Sequence, residues 1–197
     1  TELSSPQQRL LQLAVQALHA RLLPTRPSAP IPIDDLQAMR ATFVTLNQHG
    51  QLRGCMGCLS AVRPLAEDVR YNADLAAFHD PRFTAVHATE LPTLSVHIAI
   101  LGAMTTMTFC SEADLLQQLQ PGEDGLILEY GTHRGTFLPS VWASLPAPDV
   151  FLARLKQKAG LPQNFWSPAL KISRYPTESF GASYQDICYT FESFILE

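Results

Sequence analysis

Several things are scarce in this sequence, and each scarcity excludes something. Charge is thin: 16% of residues are Asp, Glu, Lys or Arg, and the formal balance is −4. A protein that holds nucleic-acid backbone by charge needs a basic face, and an acidic balance argues against one. No apolar run approaches the roughly 20 residues that cross a bilayer as a helix. No Gly-rich loop leads a strand into a helix in the dinucleotide or P-loop pattern, so nucleotide binding of that kind has no support. The histidines show no H-E-x-x-H spacing. The one C-x-x-C, Cys55-Met56-Gly57-Cys58, has no second pair to complete a zinc site. The four cysteines, Cys55, Cys58, Cys110 and Cys188, are too irregularly spaced for a small disulfide framework. Reduced thiols in a cytoplasmic protein are expected. Residues Thr1 to Ser5 have no positive segment ahead of an apolar one, so no secretion signal is expected. Neither repeats nor low-complexity tracts occur, and no metal or cofactor is called for.

What is present suits a globular domain. Apolar residues make up 46% of the 197 positions, enough for a sizeable core. The 15 prolines predict many short elements. Ser5-Pro6-Gln7-Gln8 predicts a helix start, with Ser5 as cap and Gln8 closing a capping box. Leu10, Leu11, Ala14, Val15, Leu18 and Leu22 then follow at helical spacing. Residues 23–33 hold Pro24, Pro27, Pro30 and Pro32 and predict an extended connector. A strand is predicted over 41–47, a turn at Gln48-His49-Gly50 and a partner strand over 51–61. A second helix runs from Pro64 to about His79. Leu94 to Leu101 alternates as a strand, and Ser111 with Asp114 opens a short helix. Strands at 125–130 and 136–138 flank a turn, and a helix from about Asp149 ends at Gly160. Leu170 and Ile172 predict another strand. The aromatic tail, Ile187 to Leu196, is expected to pack as a strand or helix. Hairpins dominate, so the expected class is α+β with mainly antiparallel sheets flanked by helices.

The segment of greatest chemical interest is Leu52-Arg53-Gly54-Cys55-Met56-Gly57. Strand alternation predicts Arg53, Cys55 and Gly57 on one face and Leu52, Gly54, Met56 and Cys58 on the other. A cation beside a thiol favours thiolate and makes Cys55 a candidate nucleophile. The ordinary alternative is a buried Cys in a tight hairpin, with Arg53 paired to an acid and the glycines serving a bulge. Gly54 and Gly57 would let a ligand or another backbone approach closely. Arg53 and Arg82 together would clamp a carboxylate or phosphate. His79, His87 or His97 would be the base in a His–Cys pair, against the usual reading of hydrogen-bonded structural histidines. The alternation separates Cys55 from Cys58, which counts against a redox pair. Asp80 sits in an Asp-Pro turn, and Asp124 reads as a turn residue. Trp142 is expected as a core or interface aromatic.

Five spaced motifs together resemble the AMMECR domain family. They are Phe43-Val44-Thr45-Leu46 leading into Leu52 to Gly57; Asp80-Pro81-Arg82-Phe83 with Glu90-Leu91-Pro92; Gly122-Glu123-Asp124-Gly125-Leu126; Thr136 to Trp142; and Phe151-Leu152 through Lys158-Ala159-Gly160-Leu161. The resemblance runs from about residue 8 to residue 181. It implies one domain of two subdomains, the larger holding both termini and the smaller inserted, with the signature in the cleft between them. Family members are often encoded beside, or fused to, Memo-like and radical SAM proteins, which implies a shared pathway. The family usually carries Thr where this chain has Cys58, which sets Cys58 apart from any shared reaction. Three functional readings follow. The chain is an enzyme or enzyme subunit acting on an anionic small molecule or modified nucleotide, a non-catalytic adaptor, or a nucleic-acid-binding module.

Overall fold

The structure is a computed structural model and describes residues 2–191. The chain forms two compact units. The first runs up to Ile100 and resumes at Glu178, and the second is Leu101–Thr177.

The first unit starts with α1 (Ser5–Leu22). Its capping box lies one residue earlier than expected: Gln7 N donates to Ser4 Oγ at 3.3 Å, and Ser4 N donates to Gln7 Oε1 at 3.0 Å. Ser4 and Gln7 have the same spacing as Ser5 and Gln8, and Pro6 is tolerated anywhere in the first turn because its missing N–H is an orphan there. The connector after α1 carries no regular helix until a short 3-10 turn at Asp34–Leu36. Next come β1 (Thr42–Gln48), β2 (Gln51–Gly57), α2 (Leu65–Phe78) and β3 (Leu94–Leu101). The chain returns in β8 (Thr177–Ser183) and α5 (Tyr184–Tyr189). The sheet order is β2-β1-β3-β8. One sheet face, with Val44, Leu46, Val96, Ile98 and Phe180, shares a core with Leu11, Val15 and Leu18 of α1 and with Val69 and Ala73 of α2.

The second unit holds β4 (Thr105–Thr106), α3 (Glu112–Gln118), β5 (Gly125–Tyr130), β6 (His133–Phe137), α4 (Pro148–Lys158) and β7 (Lys171–Tyr175). Its sheet order is β4-β7-β5-β6, and each of its pairings is antiparallel. A second core gathers here, with Trp142 stacked on Phe151 at 3.7 Å between ring centroids. Asp124 is more than a turn residue. It is buried, accepts from Gln120 N at 2.7 Å and Arg174 Nη2 at 2.8 Å, and its carbonyl accepts from Trp142 Nε1 at 2.8 Å. Gly160, at φ 88°, ends α4 in the left-handed region as its position predicts.

The chain is therefore α+β, with two four-stranded antiparallel sheets flanked by helices. The expected strand over 51–61 stops at Gly57. In the tail, α5 ends at Tyr189; residues 192–196 lie outside the described residues.

Candidate functional site: the edge of β2 and the loop at Asp80

The β1–β2 turn has His49 at φ 53° and Gly50 at φ 75°. Two left-handed residues make the turn whose twist matches paired antiparallel strands. The register behind it is Val44↔Met56, Thr45↔Cys55 and Leu46↔Gly54, but Asn47 pairs with Leu52. Arg53 is thus the extra residue of a β-bulge. This corrects the expectation of strict alternation: a bulge breaks the period and re-aims its side chain. Arg53 runs instead to the loop after α2. Its Nε and Nη2 donate to Glu90 Oε1 and Oε2 at 2.9 and 3.2 Å, and its Nη1 donates to the Thr84 carbonyl at 2.8 Å. Only 12% of its side chain is exposed. Glu90 also accepts from His87 N at 2.7 Å. The Arg53 guanidinium, with that bond, holds the Glu90 carboxyl below its ordinary range.

β2 is an edge strand, so its outward N–H groups need partners. Asp80 supplies one. Its Oδ2 accepts from Cys55 N at 3.0 Å. The same carboxylate takes Arg82 N and Nε on Oδ1 at 3.0 Å each, and Arg82 Nη2 on Oδ2 at 2.8 Å. Asp80 is buried, with 2% of its side chain exposed, while 56% of Arg82's is. The Arg82 guanidinium, followed by the two backbone N–H donors, holds the Asp80 carboxyl far below the usual carboxylate range. Asp80 in turn raises Arg82, and Cys55 is close enough to contribute. The Thr45 hydroxyl donates to Cys55 Sγ at 3.2 Å. One bracket therefore joins a strand edge, a thiol and an exposed guanidinium.

The family's sequence profile, described as AMMECR1, matches residues 11–180. The chain belongs to the AMMECR1 family. It is similar to a protein of Methanococcus aeolicus, 37% identical over 160 residues, covering 75% of this chain and 77% of that one. It is also similar to protein TK0174 of Thermococcus kodakarensis, 33% identical over 189 residues, covering 89% and 88%. Among solved structures it resembles uncharacterized protein PH0010 from Pyrococcus horikoshii. That match has a TM-score of 0.79 and 31% identity over 88% of this chain and 90% of that one. These names state no activity.

The space beside Gly54 and Gly57 is occupied by the chain itself. A Cβ on Gly54 would stand 2.0 Å from the Ala76 carbonyl oxygen of α2. On Gly57 it would meet the Phe43 ring at 2.4 Å. The close approach expected at both positions is thus made by a helix and a neighbouring strand.

Among the described residues no hydrogen bond joins His79, His87 or His97 to Cys55. His79 caps the C-terminus of α2, exposed, with Nε2 3.8 Å from Asp74 Oδ2. His87 is exposed at the start of the 3-10 turn Ala88–Thr93. His97 pairs with Thr45, which pairs with Cys55, so all three share a cross-strand row. A Cβ on Gly181 of β8 would touch His97 Nδ1 at 2.2 Å. The imidazole therefore leans over β8, on the side of β3 away from Cys55. Crowding by surrounding atoms holds it below its ordinary pKa. Cys58 lies past the end of β2 and accepts from Ser60 N at 3.4 Å. All four cysteines are free, and among the described residues no group of three His, Cys, Asp or Glu side chains is placed to hold a metal.

Thr45 escaped the sequence reading. A two-residue turn at His49-Gly50 sets Asn47 opposite Leu52 and, unbroken, would set Thr45 opposite Gly54; the extra residue at Arg53 moves Thr45 opposite Cys55, and nothing in the sequence signals a bulge at that residue.

Proposed function

We propose that this AMMECR1-family chain is the binding component of an enzyme system. Arg82 and Cys55 contact an anionic small molecule or modified nucleotide there, and Arg53 serves to hold the loop. The observation that carries the reading is the state of Arg82. It is fixed by two bonds to a buried carboxylate, yet its Nη1 and the outer edge of its guanidinium keep N–H donors available in solvent. Arg53 spends Nε, Nη1 and Nη2 within the chain, so a two-arginine clamp loses one arm. Among the described residues no imidazole hydrogen-bonds Cys55, so a thiol activated by histidine lacks its base. A recognition floor at the β2 edge fits these facts better than a catalytic centre. Chemistry would then come from a partner, for which the family resemblance points to Memo-like and radical SAM proteins.

Calorimetry with adenosine monophosphate and inorganic phosphate tests the binding step. Arg82→Gln is expected to weaken the tighter of the two by about tenfold or more, the usual loss when a charge-assisted bond is removed. Equal affinities would end the reading. Recovery of neither partner class in a pull-down would remove the partner step alone.

A further inference from the structure

The end of α1 and the proline connector behind it enclose a cavity of about 280 Å³. His19, Ala20 and Leu23 line it from the end of α1, and Pro24, Arg26 and Pro27 from the connector. None of these belongs to the β2 site. The shape is built rather than incidental. Gln16 Nε2 donates to the Ala29 carbonyl at 2.6 Å, pinning the far end of the connector, and Arg26 N donates to the Leu23 carbonyl at 2.9 Å. Four prolines between residues 24 and 32 fix φ along the connector, so it holds an open arch.

The floor is polar and buried. His19 is 8% exposed, and its Nε2 shares a hydrogen bond with Tyr184 Oη at 2.8 Å. Burial, with Arg26 nearby, lowers the imidazole to about 4, so it is neutral at physiological pH. Arg26 also acts electrostatically on Tyr184 and Cys188, which places its charge over this floor. Among the described residues that line the cavity, it is the one charged at neutral pH. Among the described residues no carboxylate forms an ion pair with it.

We infer that this cavity binds a small monocarboxylate with a short aliphatic body. The planar guanidinium matches two carboxylate oxygens. Leu23, Ala20, Pro24 and Pro27 offer apolar walls to the chain behind them. The volume falls just below the roughly 300–1,000 Å³ of drug-sized sites, which sets the ligand small. A phosphate dianion would leave one charge unmatched against a single cation.

Backbone amide NMR of the full chain, titrated with sodium butyrate, butyramide and inorganic phosphate, tests this. Butyrate is expected to shift the Ala20, Arg26 and Ser28 amides saturably, with butyramide and phosphate about tenfold or more weaker. Arg26→Gln should weaken butyrate by a similar factor. Ala20→Leu, at an exposed helix position facing the cavity, should abolish binding while leaving Arg26 in place. It decides the matter if Arg26→Gln does not fold. Bound butyrate should also raise the His19 imidazole pKa, because an anion then offsets Arg26. Equal shifts from butyrate and butyramide, unsaturable shifts, or undiminished binding to Ala20→Leu would overturn the assignment. Tighter phosphate than butyrate would overturn the carboxylate class.

Discussion

Asp80 uses each carboxylate oxygen twice, three times for Arg82 and once for Cys55 N. Replacing it with Asn removes the charge and keeps the size. The loss is expected at about 2–3 kcal/mol, less than the cost of breaking a fully buried pair because Arg82 is exposed. Urea unfolding measures it. The pH dependence has a definite sign. The Asp80 and Glu90 carboxyls both titrate lower folded than unfolded, so their stabilisation is complete above about pH 4–5 and fades as pH falls through the folded values. Asp80→Asn should flatten part of that acid limb. Cys55 supplies a separate check. A recognition floor predicts that iodoacetamide labels Cys55 near neutral pH no faster than exposed Cys110. Faster labelling of Cys55 would favour a nucleophile. At this scale the residue types in Leu52 to Gly57 and Asp80 to Phe83 pointed to segments that the fold joins through Asp80 and Cys55 N. The partners did not show, because Arg53 turns at a bulge and Asp80 reaches across the loop to a strand.

Elements explain why the glycines are where they are. α2 lies so close on β2 that Gly54 faces the Ala76 carbonyl directly. Gly54→Ala must push the helix off or bend the strand, and the expected cost is about 3 kcal/mol or more, read from the thermal midpoint. The start of α2 is tied as firmly. Buried Asp68 accepts from Thr42 Oγ1 at 2.6 Å, Asn72 Nδ2 at 3.0 Å and Arg63 Nη1 at 2.9 Å. Asp68→Ala leaves three donors short and is expected to cost about 2–4 kcal/mol by the same measurement. Periodicity made α1, α2, β1, β3 and α4 legible, since each alternates or repeats its apolar residues, and a short apolar run between turn residues marked β5. Periodicity missed β8, whose Thr177 to Ser183 carries one aromatic and one glycine among Thr, Glu, Ser and Ala and pairs at a sheet edge. The short β4 offers two exposed threonines and no pattern at all.

At the scale of the whole chain, two hydrophobic clusters serve two units, one around α1 and α2 and one around Trp142 and Phe151. Phe151→Ala is expected to cost about 3–5 kcal/mol and to raise amide exchange chiefly within residues 101–177. No helix among the described residues is long and apolar enough to cross a membrane. The family was legible from five spaced motifs, while the division of labour between the arginines needed the fold. On the proposed reading, an anion held on Arg82 beside Cys55 would shield the thiol. Alkylation of Cys55 by neutral iodoacetamide, followed by peptide mass spectrometry, should slow with saturating adenosine monophosphate in the wild type and not in Arg82→Gln. An identical Cys55 rate with and without the anion in the wild-type chain would contradict it.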